Sequence, residues 1–259
     1  MPLWLKNVSL AALVGLSACG ANLFSVDYDS RLGLQAVNAI ESDPGQFPMV
    51  DSLQHPVAYQ ELRAIVNTLL ASGEVKHKDD FVWRVRILND DKTLNAFCLP
   101  GGYIYVYTGL IKYLTSEDQL AGVLGHEIAH ADLRHSTQQM TKQFGLGILI
   151  TAVTGGDPGL LTQIGSQLIN LGFSRTAETE ADRKAVDYLY PTRYDARGVS
   201  RFFEKLIADK KDGRVPGFLS THPNPDNRIE AIMLYWKKKG GKIGTTDASR
   251  YAKLKKDLP

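Results

Sequence analysis

Between Val57 and Leu70 the apolar residues Leu62, Ile65, Val66, Leu69 and Leu70 recur at helical spacing, and Ser72-Gly73 follows as a stop. That pattern predicts a core-facing helix. The period then shortens. In "FVWRVRIL" (81–88) Phe81, Trp83, Val85 and Ile87 alternate with Arg84 and Arg86, as in a half-buried strand. After the turn "NDDK", the stretch "LNAFCLPGGYIYVYTG" supplies two more strand-like runs divided by Pro100-Gly101-Gly102, and a small, mostly antiparallel sheet is expected. In its last run Tyr103, Tyr105 and Tyr107 fall on one face, and Ile104 and Val106 on the other.

The rest of the chain reads as helix. Ser116 with Gln119 three residues on has the form of a capping box, which opens a helix carrying through to about Lys142. "FGLGILITAVTGGDPGLLTQIGSQLINLGF" (144–173) is two apolar stretches broken by "TGGDPG". Each falls short of the ~20 residues of a spanning helix, so a helical hairpin packed on the domain or touching a membrane surface is expected. Residues 174–190 and 198–211 predict two more helices, and Pro225 suits the first turn of a last one. The fold class is therefore α+β, mainly helical, and the chain shows no internal repeat.

The two ends differ from this pattern. "MPLWLKNVSLAALVGLSACG" has one basic residue, Lys6, a short apolar run from Val8 to Leu16 and small residues before Cys19. Leu16-Ser17-Ala18-Cys19 resembles the bacterial lipobox, which implies a lipoprotein signal peptide over 1–18 and lipidation of Cys19. The alternatives are an ordinary signal peptide or a buried N-terminal helix. Residues 19–55 read as a tether with a short helix around Leu32 to Ile40, 56–236 as the folded domain, and 237–259 as a basic, mobile tail. That tail has eight Lys/Arg against two Asp.

Composition narrows the function classes. With 44% hydrophobic and 22% charged residues among 259, the chain can bury a sizeable core. Its formal charge of +2 creates no field that points to nucleic acid, so no nucleic-acid partner is expected. Only two cysteines occur. With Cys19 lipidated, Cys98 has no partner for a disulfide, and it reads as a small buried apolar residue rather than a catalytic thiol, since no base or cation adjoins it in "NAFCLPGG".

The chemistry lies in "GVLGHEIAHADLRHS" (122–136). Residues four apart on a helix are separated by about 40° and ~6 Å, so His126 and His130 project from one face and can reach a single zinc ion. Glu127 leans toward the same space. The metzincin pattern for a third ligand is broken, with Leu133 in the glycine place and Ser136 in the histidine place. His135 lies about half a turn from His126 and cannot join that metal without a break in the helix. A better third ligand stands in "SRTAETEAD", where Glu178 and Asp182 share a helix face with Arg175, while Glu180 points elsewhere. Two histidines and a glutamate with water in the fourth position form the open arrangement used for hydrolysis. Asp182 could accept the second ring N–H of a ligand histidine and so fix its tautomer.

The segments "NAFCLPGGYIYVYTGLI", "LGHEIAHADLRHS", "FSRTAETEAD" and "STHPNPDNRIEAI", in that order, resemble the HtpX-like and BepA-like zinc metallopeptidases, relatives of the CAAX prenyl proteases. The resemblance spans about residues 56 to 236. It implies a zincin-type domain with one Zn2+ per chain, held by His126, His130 and Glu178, with Glu127 as catalytic base. By resemblance His222 and Arg228 are candidate oxyanion donors, and in relatives the histidine matching His222 can lie close enough to the metal to restrain activity. The resemblance also places the strand of Gly102, Tyr103, Ile104, Tyr105 and Val106 beside the cleft, paired with an extended substrate. Alternatively its tyrosines simply cover the core.

The expected function is a zinc-dependent endopeptidase of protein quality control, acting on unfolded or misassembled proteins of the bacterial envelope. The lipid anchor would hold it to a membrane facing the periplasm, and Gly20, in place of a retaining aspartate, favours the outer membrane. Two other readings stand beside it. One is an envelope chaperone or assembly factor with a latent zinc site, working with the assembly machinery. The other is a non-catalytic lipoprotein with a coincidental motif.

Overall fold

The computed structural model describes residues 24–155, 158–210, 218–222, 225–245 and 247–259. The signal segment and Cys19 lie outside them. Twelve helices and three strands follow along the described chain. First come α1 (Val26–Glu41), α2 (Pro56–Leu70), β1 (Arg84–Leu88), β2 (Ala96–Leu99), β3 (Tyr103–Tyr107) and α3 (Thr108–Tyr113). Next are α4 (Glu117–Asp132), α5 (His135–Phe144), α6 (Leu146–Gly155), α7 (Pro158–Ile169) and α8 (Arg175–Leu189). The last are α9 (Gly198–Lys210), α10 (Phe218–Thr221), α11 (Pro225–Lys238) and α12 (Ala248–Lys256).

The α+β, mainly helical expectation holds, but the sheet is mixed rather than mostly antiparallel. β3 pairs antiparallel with β2 across the Pro100-Gly101-Gly102 turn and parallel with β1, giving the order β1-β3-β2. The chain therefore passes over β3 between β1 and β2, and β3 ends in the middle.

Two hydrophobic clusters sit on opposite faces of that sheet. Val85, Ile87, Ala96, Cys98, Ile104 and Val106 face a cluster built by α2, α4, α8, α9 and α12. Phe97, Leu99, Tyr103 and Tyr105 face the other, with α1, α6 and α7. Each fully buried Leu or Ile in such a cluster contributes ~1.5–3 kcal/mol relative to exposure.

The second cluster changes the picture of the N-terminal segment. Ser25 caps α1 by accepting from the Tyr28 backbone N–H, and Tyr28, Leu32, Ala36, Val37 and Ile40 bury one face. Residues 26–41 are thus a wall of the core rather than a tether. The basic tail is likewise occupied: α12 lies on α2, with Tyr251 and Leu254 buried and Arg250 paired to Glu61 at 2.6 Å.

α4 is buried along its whole length. Ser116 caps it through the Gln119 N–H at 3.3 Å, while the Gln119 side chain reaches back to the Thr115 N–H at 2.8 Å. Gly122 and Gly125 let its neighbours approach: a Cβ on Gly122 would stand 2.5 Å from the Val199 nitrogen, and one on Gly125 2.8 Å from Leu189 Cδ1. α4 therefore lies directly on α8 and α9, which sets the faces of α4 and α8 opposite one another.

The helix expected to run on to Lys142 breaks at Arg134, whose φ of 61° is left-handed. The cause is tertiary. The Arg134 guanidinium is gripped by Asp29 and by the carbonyls of Phe24 and Ser25, all at the N-terminus of α1. The apolar stretches after it form the expected helical pair, α6 and α7, packed on α1.

Candidate metal centre

Three elements converge on one point. α4 presents His126, Glu127 and His130, α8 presents Glu178, and the residue after α10 is His222. All five side chains are buried, with relative exposures of 2% or less. Phe173 stacks on the His130 ring with centroids 3.9 Å apart, and Phe218 stacks on His222 at 4.2 Å. The rings are held by packing as well as by hydrogen bonds.

The donor atoms form a nearly regular set. His126 Nε2 lies 3.0 Å from His130 Nε2 and 3.5 Å from Glu178 Oε2, and His130 Nε2 is 3.5 Å from Glu178 Oε1. His222 Nδ1 completes it, 3.2 Å from His126 Nε2 and 3.0 Å from Glu178 Oε1. Bonds of 2.0–2.2 Å in a tetrahedral zinc site put neighbouring donors ~3.3–3.6 Å apart, so these residues fit that ion. A second sign agrees: the buried Glu127 Oε1 accepts no hydrogen bond. Its nearest basic atom is His222 Nε2, 3.5 Å away.

Carboxylates around the histidines decide their protonation. Asp182 Oδ1 lies 3.0 Å from His126 Nδ1, as expected for a residue that fixes the tautomer of a ligand. Burial works against a charged His126, but Asp182 and Glu178 outweigh it and hold the imidazole up at about 9. Burial pushes His130 well below the usual histidine range. It raises the Glu127 carboxyl above its ordinary value, against the pull of His222 and His126. Glu178 moves the other way, since the three histidines overcome its burial and keep it ionised.

Arg228, not Arg175, supplies the guanidinium behind this set. Its Nε and Nη2 each donate to Asp182 at 2.7 Å, and Nη1 lies 2.6 Å from Glu178 Oε2. Burial of Asp182 works to raise its pKa, and the Arg228 pairing overrides this and lowers it. Arg228 thus stands between two carboxylates, and its Nη1 makes no hydrogen bond among the described residues. Arg175 opens α8 with its side chain exposed. It borders a cavity that Asp182 and Arg228 also line.

The substrate strand needs a larger correction. β3 is hydrogen-bonded on both edges, and Tyr103, Ile104, Tyr105 and Val106 are at most 6% exposed. Gly102 is closed over by Trp83, which would meet its Cβ at 3.0 Å. The tyrosines cover the second core cluster, the alternative that the alternation left open. Of the three strands, β2 is the one against α4, the helix that carries Glu127. Cys98 itself is a buried thiol with its pKa pushed up by burial, an inert core residue as expected.

His135 is brought to the centre by the break at Arg134. Its Nδ1 lies 3.0 Å from His130 Nδ1 and its Nε2 3.2 Å from Glu180 Oε2. Local spacing gives no signal for this, because the residue that bends the chain answers to α1, 105 positions away.

Comparison with known proteins agrees with this geometry. The model of peptidase family M48 matches residues 56–235. A mitochondrial metalloendopeptidase OMA1 of Arabidopsis thaliana is 34% identical over 186 residues, which cover 67% of this chain and 38% of that protein. The OMA1 of Schizosaccharomyces pombe is 30% identical over 216 residues, 82% of this chain and 62% of that one. The beta-barrel assembly-enhancing protease of Escherichia coli K12 is 31% identical over 236 residues, 85% of this chain and 46% of that one. The chain thus spans between 38% and 62% of the length of these relatives.

Proposed function

The chain belongs to peptidase family M48, and from that premise we propose that it is a zinc-dependent endopeptidase with one Zn2+ held by His126, His130 and Glu178. The spacing of 3.0–3.5 Å among their donor atoms carries this reading. Zinc in such a set supplies Lewis-acid polarisation of a peptide carbonyl and lowers the pKa of a water to about 7.

The protein's own groups do the rest. Glu127, buried beside His126 and, as a carboxylate, made a stronger base by that burial, takes the proton of the attacking water and returns it to the leaving amine. Asp182 and Arg228 fix His126 from behind. An extended substrate adds at β2, which pairs with β3 on one side and lies against α4, and main-chain pairing there gives affinity with little sequence preference.

Unfolded or misassembled envelope proteins fit such a site, and the likeness to the beta-barrel assembly-enhancing protease of E. coli supports them as substrates. We place the protein in the bacterial envelope, anchored through lipid on Cys19 and facing the periplasm from the outer membrane. No helix among the described residues is long and apolar enough to cross a membrane.

His222 favours a second reading. Its Nδ1 lies among the donor atoms of His126 and Glu178, and a centre with four protein donors would be closed to water, which suits a chaperone or assembly factor with a latent peptidase. Zinc content and casein cleavage of wild type and Glu127→Gln separate the two. The peptidase reading expects one zinc per chain in both and cleavage only in the wild type. Loss of cleavage without loss of complementation in cells gives the assembly role precedence, and a wild type without zinc overturns the metal reading.

A further inference from the structure

His126 is held through its second ring nitrogen by Asp182, but among the described residues no carboxylate does this for His130; another histidine stands there. We infer that His135, braced by Glu180, is the positioning residue that fixes the tautomer of His130 and turns its Nε2 lone pair toward the metal. This rests on the metal reading above.

The direction of each hydrogen bond follows from the far end. An ionised carboxylate only accepts, so Glu180 Oε2 requires the proton of His135 on Nε2. In a neutral imidazole the other nitrogen is then an acceptor, so His135 Nδ1 takes the Nδ1 proton of His130 across 3.0 Å. That leaves His130 Nε2 unprotonated, facing His126 Nε2 and Glu178. Both histidines are buried, so no water competes for these atoms at the inner end. The outer end opens on a groove of about 420 Å3 lined by His135, Lys142, Phe173 and Glu180.

The backbone is built to allow it. On an unbroken helix His135 would sit about 140° around from His130. The left-handed Arg134 reverses that, and Asp29 on α1 holds Arg134 in place. α1 lies N-terminal to the segment that the family model matches.

The test uses the full chain. Zinc affinity is measured by competition with a chromogenic chelator, and the His130 tautomer is read by 15N NMR in the zinc-free protein. His135→Leu is expected to weaken zinc binding by about 10–100-fold and to shift His130 toward the Nε2–H form. His135→Asn, whose amide oxygen can accept the same proton, is expected to restore most of both. Should Leu fail to fold, Glu180→Ala at the exposed end decides, with a smaller loss of affinity and the same direction of tautomer shift. Wild-type affinity and tautomer in Glu180→Ala and His135→Leu overturn the proposal, as does an Asn variant no better than Leu. A wild type that takes up no zinc is a different failure, that of the metal reading itself.

Discussion

The Asp29 carboxylate of α1 lies on the Arg134 guanidinium, with Oδ1 3.1 Å from Nη2, and both side chains are buried. Thr137 adds a hydrogen bond to the same Oδ1 at 2.7 Å. The pair ties the N-terminal helix to the bend between α4 and α5, one residue from His135.

Breaking such a pair from one side leaves a buried charge. Asp29→Ala should cost about 3–5 kcal/mol of stability, more than the loss of an exposed ion pair would. Urea unfolding checks it, and Asp29→Ala/Arg134→Met should recover part of the loss. An unchanged midpoint in the single variant would show that α1 does not hold the bend.

His222→Ala removes the fourth donor and should speed cleavage of an unfolded substrate while weakening zinc binding. Steady-state rates with casein at saturating zinc give the comparison. Slower cleavage would instead assign His222 a part in the reaction.

Glu127→Gln should retain zinc and lower kcat by ~10²–10⁴-fold, the range of a positioned general base. The variant keeps the shape of the side chain, so circular dichroism and zinc content should match the wild type. Undiminished kcat would remove Glu127 from the proton path.

Tyr105→Ala separates packing from substrate contact. A fully buried aromatic in the second cluster, it should cost about 3–5 kcal/mol of stability and leave KM unchanged in the folded fraction. A specific rise in KM would return β3 to the substrate.

Asp195 offers a test in acid. Burial raises its pKa, but Arg197 and Arg201 outweigh it and lower it below the usual carboxylate value. A depressed folded pKa contributes stability above the unfolded value of about 3.9 and loses it as pH falls toward the folded one. The stability gap between wild type and Asp195→Asn should therefore be full at neutral pH and shrink below pH ~4. A gap independent of pH would show that Asp195 contributes by shape alone.

Local pattern was enough for much of the centre. His126 and His130 share a face because four residues make just over one turn, and Glu178 and Asp182 share one for the same reason. The capping of α4 by Ser116 and of α8 by Ser174 is also a local matter, readable from the residues that stop and start the backbone pattern. The α+β character follows from the two periods, and the family from four short segments.

Four outcomes needed the whole fold. The family resemblance sets β3 beside the substrate, and alternation in "GGYIYVYTG" cannot correct it, since whether a strand is central or at an edge depends on which strands pair on either side; β3 lies inside. Arg228 rather than Arg175 backs Asp182 because α11 packs on α8 from a place the helical wheel of α8 does not know. α1 became a wall of the core, since an amphipathic segment of weak local signal still buries its face when α6 and α7 supply the partner. The bend that brings His135 to His130 is set by Asp29, far away in sequence. Spacing along a helix determined which ligands face together, because that is covalent geometry repeated. Which strand is free, which arginine is near and where a helix ends are decided by contacts between distant segments, and only the packed structure contains those.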